Sequence, residues 1–470
     1  MNLRSFLIAM TCGTICLSAA LADQQAPRTA KPNFVLFLID DMGWRDMGFA
    51  GNKFIETPHT DKLAREGVIF SQAYASAPNC APTRACLLSG QYTPRHGVYT
   101  VVDERHKPGL PHHRILAANS NAAMSGDVVT IAEALKEHGY ATACFGMWNL
   151  GRGRKGPSTP LGQGFDRYLQ PRDLGFEKDT YIDGDDYLTD RFTDEGIKFI
   201  ETNRDRPFYL YLPYHAVHAP YEAKPNLLKK YERKGSPDPH HAATVEVVDQ
   251  NVGRIMATLR RLKLDTNTAI VFTSDNGGNR QYTAPLKGSK GQLYEGGLRV
   301  PTCVWWSGIS KPGRTSDIPI LSMDFYPTML DIAGIPRPKD HRLDGESLLP
   351  ILKNTGDLKR DTLYWHFPCY IGRSTPCSAI RTGNYKLITF FEDNRDELYN
   401  LNDDPNEQKN LAATNATKAR ELKDRLEQWW ASTSAAIPAG PNPKFDPTAE
   451  RPRGRRGRKP QGNKKQRQPK

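Results

Sequence analysis

Cysteine is scarce in this 470-residue sequence: 8 in all, two of them (Cys12 and Cys16) within the first 22 residues. The other six, Cys80, Cys86, Cys144, Cys303, Cys369 and Cys377, are too few for a disulfide scaffold in so long a chain. None sits in a C-x-x-C or Cys/His spacing, which argues against a structural zinc site. A membrane-spanning apolar run is missing too. The N-terminal stretch "MNLRSFLIAMTCGTICLSAALA" is too short and too weakly apolar for an anchor. Arg4, an apolar run and Ala20-Leu21-Ala22 instead predict a secretory signal over residues 1–22, and hence a periplasmic or secreted protein. Export permits disulfides, and Cys369 with Cys377, seven residues between them, has the best local reach. No internal repeat is visible.

Mean hydropathy of -0.61 and 38% hydrophobic residues describe a soluble chain with ample material for a core. The net charge of +12 is concentrated at one end. Residues 438–470 hold eleven Lys or Arg against Asp446 and Glu450, about +9, so the remainder is nearly balanced. This tail lacks apolar residues to bury, and the sequence predicts a disordered basic extension over residues 433–470. It is either a solvated appendage or a contact for an anionic polymer or the cell envelope. Its basic residues are not interleaved with stacking aromatics, which with export argues against nucleic acid.

Four short apolar runs read as buried parallel strands: "NFVLFLI" (33–39), "ATACF" (141–145), "FYLYL" (208–212) and "AIVFTS" (269–274). Between them "TPHTDKLAREG", "DVVTIAEALKEHG", "LTDRFTDEGIKFIETN" and "EVVDQNVGRIMATLRRLKL" read as helices. The alternation predicts an α/β fold, a mostly parallel sheet flanked by helices, over residues 23–375. Near residue 375 the texture changes to two or three antiparallel strands and a helix with Leu422, Leu426 and Trp429 on one face. A smaller α+β subdomain is expected over 376–432. The segment 103–126, rich in His, Pro and Asn, reads as a long surface loop.

Each apolar run stops at polar residues. The first ends in Asp40-Asp41, the third leads to His215 and His218, and the fourth ends in Asp275-Asn276-Gly277-Gly278. Ligands of open α/β sheets collect at the carboxyl ends of strands, so these clusters can converge. Three carboxylates and an amide suit Ca²⁺ or Mg²⁺. Singly, each reads first as a turn, since Asp-Asp caps helices and "DNGG" is ordinary turn sequence; joint placement after two separate strands favours the metal site.

"CAPTRACLLSG" (80–90) resembles the type I sulfatase signature, C-x-P-x-R followed by Leu and Ser/Thr-Gly. The resemblance continues, in order, through "PNFVLFLIDDMGWRDMGFAG", "TPHTDKLAREGVIFSQAYA", "YLPYHAVHAP", "TSDNGG", "GSKGQLYEGGLRVP" and "AIRTGNYKLI…ELYNLNDDPNEQKNLA", spanning about residues 32–432. It implies an alkaline-phosphatase-like fold and hydrolysis of sulfate esters, with a sulfated carbohydrate as the expected substrate. It also implies that a formylglycine-generating enzyme converts Cys80 to formylglycine, whose hydrate attacks sulfur. Asp40, Asp41, Asp275 and Asn276 match the ligands of a single Ca²⁺. Arg84 matches the residue that holds the modified side chain, Lys290 the lysine on the sulfate oxygens, and His218 the histidine near the leaving oxygen. The bland alternative for Cys80 is a buried thiol or a disulfide with Cys86.

The chain departs from the family at "GMWNLG", where G-K-W-H-x-G is usual: Met147 stands for the lysine and Asn149 for the histidine. Methionine can neither donate nor carry charge, and asparagine cannot shuttle a proton. Gln91 stands where a basic residue is common. Either Arg152 or Arg154 enters the site instead, or Met147 with Trp148 lines an apolar subsite. A sulfatase fold that binds but scarcely turns over is one alternative function. Phosphate-ester hydrolysis on the same scaffold is another, disfavoured because C-x-P-x-R is not the nucleophile motif of those relatives.

Overall fold

The run Asn33–Ile39 (β1) is buried on both faces, as a central strand of a helix-covered parallel sheet must be. We describe residues 31–102, 107–177, 180–372 and 374–450 of a computed structural model; the expected signal segment and the last twenty residues of the basic tail lie outside them. The described residues belong to one compact unit. None of their helices is long and apolar enough to cross a membrane.

Eight strands form the main sheet. With β1 they are Val68–Phe70 (β2), Ala141–Phe145 (β3), Arg167–Leu169 (β4), Phe208–Tyr214 (β5), Thr268–Ser274 (β6), Cys303–Trp306 (β7) and Arg314–Ser316 (β8). Their order is β8-β2-β7-β6-β1-β5-β3-β4. The block from β6 to β4 is parallel, and β7 runs antiparallel to both its neighbours. All four strands expected from the sequence are present.

Side-chain alternation divides β1 between two cores. Val35, Phe37 and Ile39 pack with Leu63 of Pro58–Glu66 (α1), Phe192 and Phe199 of Leu188–Thr202 (α4), and Val245 and Val252 of Pro239–Arg261 (α5). Phe34, Leu36 and Leu38 pack with Ala85 and Leu88 of Cys80–Ser89 (α2), Leu135 of Ile131–Glu137 (α3), and Phe325 and Met329 of Phe325–Ala333 (α6). The helix carrying the cysteine motif is thus entirely buried against one face of the sheet.

The second sheet has four antiparallel strands, Thr362–Phe367 (β9), Cys377–Thr382 (β10), Tyr385–Phe390 (β11) and Asp396–Asn400 (β12). It is larger than expected, and β9 begins before residue 376. Leu422, Leu426 and Trp429 of Ala416–Thr433 (α7) cover it. Lys386 of β11 is buried, 2.9 Å from both Glu295 Oε1 and Glu407 Oε1. Tyr74, in the two-residue strand Ala73–Tyr74 that follows β2, donates to the same Glu295 at Oε2 (2.7 Å).

Two expectations need correction. Cys369 and Cys377 are both buried free thiols, and the Cys369 sulfur faces the carbonyl of Ala118 (3.9 Å). Cys86 is free as well, so it makes no disulfide with Cys80. The stretch expected to be disordered from residue 433 onward is packed as far as residue 450. Leu116 and Ala439 donate to the carbonyls of Gly440 and Leu116 (2.8 and 2.9 Å). The buried Asn442 amide donates to the carbonyls of Leu110 and His113 (2.9 and 2.8 Å). Backbone pairing with the 107–118 loop thus orders a segment that has little apolar surface of its own. That loop contains no regular helix or strand among its described residues.

His366 of β9 joins these parts. Its Nε2–H donates to the carbonyl of Ala436 (3.0 Å), and its Nδ1 accepts from Ser378 Oγ (2.5 Å). Burial pushes it down to about 4 from the ordinary 6.5, so the folded protein holds it neutral. As pH falls below about 6.5 the unfolded chain binds a proton that the native state refuses, so stability present above that pH is lost toward pH 4. We expect His366→Gln to flatten this acid-side loss by up to about 3 kcal/mol, read from urea midpoints at pH 7, 6, 5 and 4.

Candidate active site

Strand register assembles the site. Ile39 of β1 pairs with Ser274 of β6 on one side and with Tyr214 of β5 on the other. Asp40-Asp41, Asp275-Asn276 and the segment His215 to His218 therefore leave the sheet side by side at its carboxyl edge. Asp41 turns the chain with φ of 62°, a left-handed conformation that Asp tolerates better than most residues. Gly277 is held to glycine by close approach, since a Cβ there would lie 2.0 Å from the carbonyl oxygen of Gly296.

Helix α2 supplies the other half. Cys80 is its first residue and Arg84 lies four residues on, so both project from one face. That is the geometric content of the C-x-P-x-R spacing. Arg84 is buried and forked: Nε and Nη2 donate to Asp275 Oδ2 (3.0 and 2.7 Å), Nη2 to Asp40 Oδ2 (3.1 Å) and Nη1 to the carbonyl of Met147 (2.6 Å). Burial alone would lower the Arg84 pKa, but Asp275 and Asp40 outweigh it and raise it.

Lys290 and His218 converge on Asp41. Lys290 Nζ lies 2.6 Å from Asp41 Oδ1, and the Lys290 loop is held by Lys290 N–H to the carbonyl of Gly278 (3.2 Å) and Gly291 N–H to that of Pro78 (2.7 Å). His218 Nδ1 donates to the carbonyl of Ala219 (2.6 Å), leaving Nε2 on the site side, 3.7 Å from Asp41 Oδ2. The Asn276 amide donates to Asp41 Oδ1 (2.8 Å). Burial would raise Asp41, but Lys290, His218 and Asn276 hold it below the ordinary carboxylate value. Asp275 goes the other way: burial and the charge of Asp40 push it up to about 7 against the pull of Arg84.

The donor set fits a divalent cation. Asp40 Oδ1 and Asn276 Oδ1 are buried oxygens with no hydrogen-bond partner among the described residues, which is costly unless a cation takes them up. Ligand atoms of Asp40, Asp41 and His218, and of Asp40, Cys80 and Asp275, lie within 4.8 Å of one another. Asp40, Asp41, Asp275 and Asn276 offer oxygen only, as Ca²⁺ or Mg²⁺ prefers. Cys80 is itself a poor nucleophile, because burial pushes its thiol up to about 12 and almost none is thiolate near neutral pH.

All eight residues singled out from the sequence therefore gather at one place. Of the residues considered as compensation for Met147 and Asn149, Arg154 and Trp148 are engaged elsewhere. Arg154 forms an ion pair with Asp173, and Arg152 is exposed. Trp148 is a core residue, its Nε1 donating to the carbonyl of Ser158 (2.9 Å) and its ring meeting Phe165 edge-on. It lines no apolar subsite. Asn149 occupies a left-handed position, φ 60°, which asparagine accepts readily. Tyr221 was missed: it receives the Asn279 amide (2.8 Å), and the nearby Asp41 charge contributes, after burial, to raising its pKa. Three residues past His218, it carried no spacing signal.

Replacing Arg84 by Met would leave two buried carboxylates without their counter-charge. We expect a loss of about 3–5 kcal/mol in urea unfolding without added cation, partly recovered by adding Asp275→Asn.

Comparison with known proteins gives the same reading. The "Sulfatase" family model matches residues 32–335, and the "N-sulphoglucosamine sulphohydrolase, C-terminal" model matches residues 289–432. A sulfatase of Formosa agariphila is 32% identical, covering 90% of this chain and 93% of its own. The N-acetylgalactosamine-6-sulfatase of Mus musculus is also 32% identical, over 78% and 74%. The solved structure of Ps i-CgsB in complex with k-i-k-neocarrahexaose superimposes with a TM-score of 0.72 at 28% identity, covering 85% of this chain and 92% of that one. Motif order, fold and relatives agree: the chain belongs to the sulfatase family, hydrolases of sulfuric esters.

Proposed function

We propose that this protein is an exported sulfatase that removes sulfate from a sulfated carbohydrate, using formylglycine made from Cys80 and one Ca²⁺ held by Asp40, Asp41, Asp275 and Asn276. The carbohydrate class is supported by relatives and neighbours whose names carry sugars, the N-acetylgalactosamine-6-sulfatase and the neocarrahexaose complex. Export is supported by the N-terminal pattern Arg4, apolar run, Ala20-Leu21-Ala22. The observation that carries the chemistry is the Arg84 fork, which holds Cys80's helix against carboxylates from two strand ends.

A hydrated formylglycine supplies a hydroxyl nucleophile, and a divalent cation lowers the pKa of such a hydroxyl. The chain's own residues do the rest. Arg84 positions residue 80 and offsets charge among the carboxylates. Lys290 is placed to hold sulfate oxygens, which are recognised as a developing anion would be. His218 Nε2 faces the site and can give a proton to the departing sugar oxygen. The raised pKa of the Cys80 thiol favours a modified residue over cysteine as nucleophile.

Mass spectrometry of the peptide holding residue 80, after co-expression with a formylglycine-generating enzyme, should show the aldehyde. An intact thiol at that position would overturn the reading. Sulfate release from a panel of sulfated oligosaccharides should vanish on dialysis against EDTA and return with Ca²⁺ more fully than with Mg²⁺. Binding of those oligosaccharides without turnover would instead favour a weakened sulfatase fold, as Met147 and Asn149 suggest. Lys290→Ala should lower kcat/KM by about 10²–10³-fold.

A further inference from the structure

Met147 and Asn149 leave the side of the site next to Arg84 without a basic side chain. Met147 is held there through its backbone, its N–H on the carbonyl of Pro213 (2.9 Å) and its carbonyl under Arg84 Nη1. Those bonds put Met147 against the end of β5, two residues before His215. In β5, Tyr209 and Tyr211 face the core that contains α2. His215 follows directly after β5, near enough for the charge of Arg84 to act on its ring.

His215 has the properties of a binding group rather than a packing one. Among the described residues neither of its ring nitrogens has a hydrogen-bond partner in the protein, and Nδ1 is enclosed, whereas the residue as a whole is only part-buried. A polar ring is seldom left so without a ligand to satisfy it. Its backbone is pinned: His218 N–H donates to its carbonyl (2.8 Å), and Tyr181 donates to the carbonyls of His215 and His218 (3.4 and 2.8 Å). The Tyr181 ring meets the imidazole edge-on at 6.0 Å. Burial, Arg84 and His218 together keep the ring neutral near neutral pH.

We propose that His215 is a further catalytic residue of this sulfatase, whose open ring nitrogen Nε2 donates a hydrogen bond to a sulfate oxygen on the side where Met147 has no donor and Asn149 has no imidazole. The inference rests on the sulfatase reading above. A neutral donor suits the place, since Arg84 and Lys290 already supply two fixed cations and a third would have to be desolvated among them.

The test is a double-variant cycle, His215→Gln and Asn149→His, singly and combined, with thermal melts to establish that each folds. We expect His215→Gln to lower kcat/KM by about 10²-fold, and Asn149→His to recover about tenfold of that loss in the His215→Gln background while changing the parent less than about threefold. Inorganic sulfate binding to the Cys80→Ser protein with Ca²⁺, by calorimetry, should weaken by about tenfold with His215→Gln. If His215→Gln does not fold, His215→Asn makes the same comparison. Unchanged sulfate affinity and kcat/KM in a folded His215 variant, or an Asn149→His effect equal in both backgrounds, overturns the proposal. A parent protein that neither hydrolyses sulfate esters nor binds sulfate overturns the sulfatase reading instead.

Discussion

A buried guanidinium shared between Asp40 and Asp275 is the constraint on which this molecule's chemistry rests. The two carboxylates end neighbouring parallel strands and would repel each other at low dielectric if nothing stood between them. Arg84 reaches both because α2 is entirely buried against the face of the sheet from which they emerge. Charge balance then explains the remaining features. Asp40, Asp41 and Asp275 face two fixed cations, Arg84 and Lys290, and burial together with residual repulsion from Asp40 pushes Asp275 up to about 7. A divalent cation would relieve that repulsion and satisfy the stranded oxygens of Asp40 and Asn276.

The second sheet contributes to this site from a distance. Its buried Lys386 grips Glu295 and Glu407, and Glu295 opens the short helix Glu295–Leu298 that follows the Lys290 loop. Glu295 N–H also donates to Glu407 Oε2 (2.7 Å), and Gly277 N–H donates to the carbonyl of Gly297 (3.0 Å). One buried ionic cluster therefore braces both the loop that carries Lys290 and the turn that follows Asn276. Such clusters are costly to desolvate and costlier to break, which suits a joint that must keep one geometry.

The departures at Met147 and Asn149 gain meaning from their surroundings. Arg84 uses the Met147 carbonyl, so the backbone at that position still serves the site although its side chain no longer can. The left-handed turn at Asn149 and the close fit at Gly146, where a Cβ would lie 2.0 Å from the Pro213 carbonyl oxygen, preserve the path of the chain. What differs from the family pattern is which groups are offered to the substrate, with the scaffold kept.

Much was legible in the linear chain. Near-continuous apolar runs marked the four central strands, because a strand covered on both faces has no polar side. Polar residues at their ends marked the site, and the C-x-P-x-R spacing is local to one helical turn, so Cys80 and Arg84 could be paired without a structure. Other features depended on contacts between segments far apart in sequence. That Arg154 is spent on Asp173, that Trp148 belongs to the core and that Cys369 faces Ala118 rather than Cys377 follow from packing, which has no period to read. The order of residues 434–450 came from backbone bonds to a loop some three hundred residues earlier. His215 likewise carried no signal beyond its place after an apolar run, and only the folded chain brings it near enough for the charge of Arg84 to act on its ring. Residue type and local spacing declare what a side chain can do; which partner it meets is decided by long-range packing, where one burial geometry must satisfy every charge at once.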